Sequence, residues 1–220
     1  GFLLARDRDG SLLDDDKGMW QQCRATWLLA TLYNTVESKS DWLIWAKSGL
    51  RFIERHGRDS DGRMWFHVTR DGSPIRKRRY AFTECFGSIA YASLSKATGD
   101  SALAGTSREL FSLAKKHFSN PPLTESKFTD TRPVKSIGVP MIKLVTAQEL
   151  RLNLSDESFT ADVDDAIDEI RRDFMKPDVE CVMESVALDG SIIDHFEGRM
   201  LNPGHAIECA WFILWEARLR

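Results

Sequence analysis

The chain has 220 residues, 42% of them hydrophobic and 29% charged, with a formal net charge of −3. It is long enough to bury a real core, and its composition is ordinary for a globular protein. The near-neutral balance gives no electrostatic case for nucleic acid or an anionic membrane as partner, and no uncharged apolar run is long enough to span a bilayer.

The opening stretch "GFLLARDRDGSLL" has no secretory signal pattern and carries Asp-Gly, the strongest short hairpin signal. "DKGMWQQCRATWLLATLYNTV" then predicts a helix with Trp20, Cys23, Trp27 and Ala30 on one stripe. "SDWLIWAKSGLRFIERHG" predicts a second, with Trp42, Trp45, Leu50 and Ile53 inward and Gly57 as its C-terminal cap. "MWFHVTRDGSPI" reads as another Asp-Gly hairpin, and the basic run "RKRR", Arg76 to Arg79, as a solvated loop. "YAFTECFGSIAYASLSKATGD" and "SALAGTSRELFSLAKKHF" are the third and fourth helices, followed by a loop from Asn120 to Pro140. "VPMIKLVTAQELRLNL" is the fifth helix, and "ESFTADVDDAIDEIRRDFMK" is a more exposed and acidic sixth. "CVMESVALDGSII" is a third hairpin candidate.

"NPGHAIECAWFILWEARLR" is the seventh helix. Ile207, Ala210, Trp211 and Leu214 make one face, while Phe212, Ile213 and Trp215 cover others, so burial on several sides is expected. The repeating unit is a short hairpin and a helical pair, and the helices alternate between exposed and all-round apolar. That pattern predicts an all-α fold, an α/α toroid of two layers, with residues 1–220 in one domain.

Cys23, Cys85, Cys181 and Cys209 show no CxxC pairing and read as small buried hydrophobes in a reducing, cytoplasmic setting. Their spacing offers no zinc site, and no metal or cofactor is expected. There is no phosphate-cradling glycine loop and no GxSxG elbow. The chemistry concentrates elsewhere. Asn202 is a natural N-cap, Pro203 suits the first helical position, and His205 falls in the first turn with Glu208 one turn on. A helix N-terminus disfavours an imidazolium, so His205 is expected neutral, able to take a proton from carbon beside a carbonyl, with Glu208 orienting the ring or binding a hydroxyl. The competing reading is a histidine that merely caps its helix. Arg24 lies beside the apolar stripe and needs a carboxylate, a carbonyl or a ligand oxygen. Glu84 sits early in its helix, where a carboxylate is favourable anyway. His56, His67, His117 and His195 are assigned no chemistry, and His195 is expected to be exposed in its loop.

Four stretches in order, "DKGMWQQCRATWLLATLYN", "VTRDGSP" followed by "FTECF", "VPMIKL" and "GRMLNPGHAIECAWFIL", resemble the N-acylglucosamine 2-epimerase family, which includes renin-binding protein. The resemblance implies an (α/α)6 barrel, here incomplete at about seven of twelve helices, and an isomerase. The reaction implied is 2-epimerisation of an N-acyl-D-glucosamine to the mannosamine through an enediolate. "FTECF" is closer to the acyl-hexosamine branch than to the cellobiose branch. Carried over, Arg24 would hold the sugar oxygen near C1 or C2, His205 would be one of two acid/base histidines, and Glu208 its orienting or hydroxyl-binding partner. Glu84, Trp20, Asn202 and Met141 would bind substrate. No candidate for the second histidine exists in the sequence, which ends in a helical pattern, so the isolated chain is expected to epimerise poorly and to leave apolar faces uncovered. A sugar is the expected partner and a second copy of the chain an open one. The alternatives left standing are an aldose–ketose isomerase of the same family, a glycoside hydrolase or lyase on a similar toroid, and a non-catalytic carbohydrate-binding or interaction protein.

Overall fold

A computed structural model of the chain describes residues 1–119, 123 and 127–220. Among the described residues it is mostly helical, with seven α-helices joined by strands of two or three residues. They fall into two compact units, Gly1–Thr124 with Leu152–Ser155, and Glu125–Arg151 with Asp156–Arg220.

In the first unit β1 (Ala5–Arg6) pairs antiparallel with β2 (Leu12–Asp14). β3 (Lys17–Gly18) leads into α1 (Met19–Thr35), which is followed by α2 (Ser40–His56). β4 (His67–Val68) pairs with both β3 and β5 (Pro74–Arg76), so the second hairpin is stitched to the start of α1. α3 (Phe82–Thr98) and α4 (Ser101–Phe118) complete the unit, and α3 packs on both α1 and α4. α3 is buried at nearly every position from Thr83 to Ser95, as its even apolar and small-residue content requires. Its small residues let α4 approach closely. Ser88 Oγ donates to the Ser107 carbonyl and Ser107 Oγ to the Ser88 carbonyl, each at 2.8 Å. Gly99 ends α3 in the left-handed conformation, and Asp100 caps α4 through the Ala102 N–H. The α2 stripe is Ala46, Gly49, Leu50 and Ile53; Trp45 points to solvent, contrary to expectation. The "RKRR" run is exposed at Arg76 and Arg79, as expected, but Lys77 and Arg78 are packed. Lys77 bridges Asp59 (2.5 Å) and Asp61 (2.8 Å), and the Arg78 guanidinium lies 4.2 Å from the centre of the Phe66 ring.

In the second unit β6 (Lys135–Ser136) leads into α5 (Gly138–Leu154). α6 (Thr160–Glu169) runs through a π turn, Ile170–Phe174, into β7 (Met175–Lys176). β8 (Cys181–Val182) pairs with β7, β9 (Ser185–Val186) pairs with β6, and α7 (Pro203–Leu219) follows. The loop expected from Asn120 to Pro140 lies in part outside the described residues. Where described, its later portion forms β6 and the first turn of α5. A polar link joins α5 to α7: Arg151 and Gln148 both donate to the buried Glu216 carboxylate, at 2.7 and 3.0 Å. Burial alone would raise Glu216, but hydrogen bonds from Arg220, Arg151 and Gln148 hold it below the usual carboxylate range.

Four turns share one form among the described residues. In each, an Asp-Gly pair closes a five-residue loop by two backbone hydrogen bonds of 2.8–3.0 Å, starting at Asp7, Asp59, Thr69 and Ala187. Gly10, Gly62, Gly72 and Gly190 have φ of 86, 82, 98 and 84°, which glycine adopts without a Cβ penalty. Three were expected; Asp61-Gly62 was not. The Asp189-Gly190 turn is present, but among the described residues no strand follows it, and β8 and β9, which both precede it, pair with β7 and β6.

Three further expectations are corrected. α7 buries only Cys209, Phe212 and Glu216, leaving Ile207 71%, Trp211 55% and Leu214 70% exposed. Its several apolar sides exceed what this chain supplies to cover them. His195 is half-buried, with Nδ1 enclosed and unpartnered, rather than exposed, and Cys181 is half-buried.

Candidate functional site

Each unit carries part of the candidate chemistry. In the second, Asn202 is extended (φ −117°, ψ 94°) and its side chain accepts from the His205 N–H at 3.3 Å. Pro203 occupies the first helical turn, where a missing N–H costs nothing. His205 therefore emerges from the first turn of α7, fixed at its backbone by a local cap. Its ring is half-buried, and Nδ1 lies 2.8 Å from Glu184 Oε2. Glu184 was missed in the sequence. It sits between β8 and β9, 21 residues before His205, and no local spacing links the two. Glu208, expected as the orienting partner or a hydroxyl ligand, is exposed and makes no hydrogen bond among the described residues. The orienting contact belongs to Glu184, which leaves Glu208 available to a hydroxyl. Next to Glu208, burial pushes the Cys209 thiol up to about 11, so it is no nucleophile near neutral pH.

A cavity of about 490 Å³ adjoins the start of α7, walled by the β7–β8 hairpin, by Leu201, Asn202 and Pro203, and by Ala206. Asn202 thus lines a space a small ligand can enter. Met141, expected to bind substrate, is buried in α5.

In the first unit Trp20 begins α1. Its Nε1 donates to Thr83 Oγ1 at 2.8 Å, and its ring meets Phe66 edge-on at 5.0 Å and Phe86 at 5.4 Å. The indole N–H is thereby used internally, leaving Trp20 a half-buried apolar surface. Arg24, one turn on, is exposed. Its guanidinium lies 5.4 Å from the centre of the Phe86 ring and has no ion pair among the described residues. The internal ion pair that would have made it structural is absent among them, and its five donors are available to a ligand oxygen.

Glu84 differs. It is fully buried, and Oε1 accepts from Arg63 Nε at 2.5 Å and from the Met64 N–H at 2.8 Å. Oε2 is enclosed without a partner. This carboxylate anchors the Asp61-Gly62 turn to α3, and its burial argues against the ligand-binding place expected for it. The sequence offered no sign of it, because Arg63 lies in a turn 21 residues away.

Residues 1–220 match the model of a family described as N-acylglucosamine 2-epimerase (GlcNAc 2-epimerase). The chain is 30% identical over 223 residues to the N-acylglucosamine 2-epimerase of Bos taurus, covering 97% of this chain and 52% of that protein. It spans about half the length of the curated relatives it matches. Among solved structures it resembles cellobiose 2-epimerase from Bacillus thermoamylovorans B4167 (TM-score 0.81, 18% identity, 97% of this chain and 58% of that one). It also resembles a D-mannose isomerase (TM-score 0.80, 16% identity, 98% and 59%). This likeness shows the fold, the all-α class of the (α/α)6 barrel, present here incompletely.

Proposed function

The chain belongs to the N-acylglucosamine 2-epimerase family, as its motifs imply, and on that footing we propose that it serves sugar 2-epimerisation of the N-acylglucosamine to N-acylmannosamine type. The observation that carries this reading is His205. It stands in the first turn of α7 with Nδ1 on a carboxylate, so that the ring's other nitrogen is left for chemistry.

In the ring-opened sugar the C2 proton is acidic because the aldehyde at C1 delocalises the charge left behind. His205 takes that proton, and the pair of electrons becomes an enediolate. Reprotonation at C2 from the opposite face inverts the centre. The family resemblance assigns Arg24, which has no ion pair among the described residues, to a sugar oxygen near C1 or C2, whose charge grows as the proton leaves. In the second unit Glu208 accepts from a hydroxyl and Asn202 adds a polar contact, and the resemblance assigns Trp20 of the first unit an apolar surface for a pyranose face. Return of the proton to C1 instead gives a ketose, so the aldose–ketose isomerase reading differs only in the last step. A cytoplasmic setting is part of this proposal and is supported by four cysteines that form no disulfide among the described residues; among those residues no helix is long and apolar enough to cross a membrane.

Inversion needs a proton carrier on each face, and none of His56, His67, His117 and His195 is assigned to the other face in this proposal. We therefore expect residues 1–220 alone to exchange the C2 proton slowly and to invert poorly, since an absent acid/base costs about 10²–10⁴-fold. The test is 1H NMR in heavy water with N-acetylglucosamine, N-acetylmannosamine and mannose. Loss of the C2–H signal that His205→Gln abolishes supports the base assignment. No exchange above that variant refutes it, and efficient interconversion by this chain would refute the need for a second carrier.

A further inference from the structure

We propose that Glu184 is a positioning residue that sets the tautomer of His205, an inference that rests on His205 being the base. Glu184 Oε2 lies 2.8 Å from His205 Nδ1. A carboxylate only accepts, so Nδ1 is the donor, and in a neutral imidazole Nε2 then carries the lone pair. Proton abstraction from carbon needs that lone pair held in one direction. A free ring divides itself between two tautomers and several orientations; a ring tied at Nδ1 does not.

The carboxylate is itself held. The Glu184 carbonyl accepts the Ile137 N–H at 3.1 Å, and the next residue, Ser185, pairs with Ser136 in the β6–β9 ladder. Glu184 is thus fastened to the start of α5, while the histidine backbone is fastened by the Asn202 cap. The backbone is therefore held at both ends of the contact, by the Ile137 N–H at Glu184 and by the Asn202 side chain at His205. The side chains are 22% and 43% exposed, so the pair is shielded on the glutamate side and open on the histidine side. Glu208, one turn along α7, makes no hydrogen bond among the described residues and so does not compete for the ring.

The experiment uses the 220-residue chain labelled with 15N-histidine, at about pH 8.5, two units above the ordinary imidazole value. Long-range 1H–15N correlations report the tautomer of each of the five histidines, and His205→Gln identifies the His205 signals. Wild type should show the Nδ1–H form at His205. Glu184→Ala should shift it toward Nε2–H while the other four rings stay unchanged, and Glu184→Gln, whose amide oxygen still accepts, should retain Nδ1–H. A wild-type ring in the Nε2–H form overturns the proposal even if Glu184→Ala does not fold, and so does an unchanged spectrum in that variant. In the C2–H exchange assay, Glu184→Ala should lower kcat by about 10–100-fold with KM little altered. If wild type shows no exchange but the tautomers behave as stated, the base assignment fails and the positioning contact stands.

Discussion

Replacing Glu84 by Gln separates a structural carboxylate from a ligand-binding one. The substitution keeps side-chain volume, and the new amide oxygen still accepts the Met64 N–H. What it removes is the charge opposite Arg63, whose side chain is 7% exposed. Removing one partner of a buried ion pair leaves the other charge without compensation and costs about 3–5 kcal/mol. The same amide oxygen can still accept from Arg63 Nε, and Nη2 donates to the Arg78 carbonyl at 3.3 Å, which places the expected cost nearer the lower figure. Urea unfolding followed by tryptophan fluorescence should give that loss as a lower midpoint at constant slope. Arg63→Met should cost a similar amount, and the double variant Arg63→Met/Glu84→Gln less than the two single costs summed, because no charge is then stranded. A cost for Glu84→Gln below about 1 kcal/mol, or full additivity in the cycle, would refute the reasoning and return Glu84 to a ligand-facing role.

Glycine turns give a paired comparison: Gly10→Ala meets nothing within 4 Å and should cost about 1–2 kcal/mol from its φ of +86° alone. Gly72→Ala places Cβ 1.9 Å from His56 Nδ1 and should cost about 1–3 kcal/mol more, read from the same unfolding curves; equal costs would sink the comparison. Asn202→Ala removes the cap of α7 and should cost about 1 kcal/mol while broadening the His205 ring signals in NMR. Asp9 and Asp189 are held below the ordinary carboxylate range by hydrogen bonds from the serine two residues on, and Asp173 by Arg172. Their stabilisation is complete above the unfolded value and is lost as pH falls through the depressed folded values, so urea midpoints should fall steadily below about pH 4, and Asp173→Asn should flatten that decline.

What could be read from the sequence was what neighbours in the chain decide. The Asn202 cap, Pro203 and the place of His205 depend on four consecutive residues, and Gly99 and Asp100 likewise punctuate α3 and α4. Three of the four Asp-Gly turns were read from the dipeptide alone, while Asp61-Gly62, outside any hairpin pattern, was passed over. Contacts that close over long separations were invisible: Glu84 with Arg63, Glu184 with His205, and the pairing of β9 with β6 rather than across its own turn. Apolar pattern also misled where it lacked a partner. Trp45 and the Ile207, Trp211 and Leu214 face of α7 carry the right residues for burial, but burial depends on what lies opposite, which periodicity does not record.

The four Asp-Gly turns bear on how quickly this chain finds its fold. Closing a loop of about ten residues takes some 10–100 ns, far less than the search for a contact between distant segments. Each turn here spans five residues, and its glycine already favours the required backbone, so all four can form before any helix packs. The turn at Thr69 then draws β4 and β5 together and offers β4 as a template for β3, across almost fifty intervening residues. A slow, long-range pairing is in this way divided into a fast local step and one docking step. Loss of Gly72 should therefore slow refolding of the first unit, whereas loss of Gly10, whose hairpin templates no other strand, should chiefly speed unfolding.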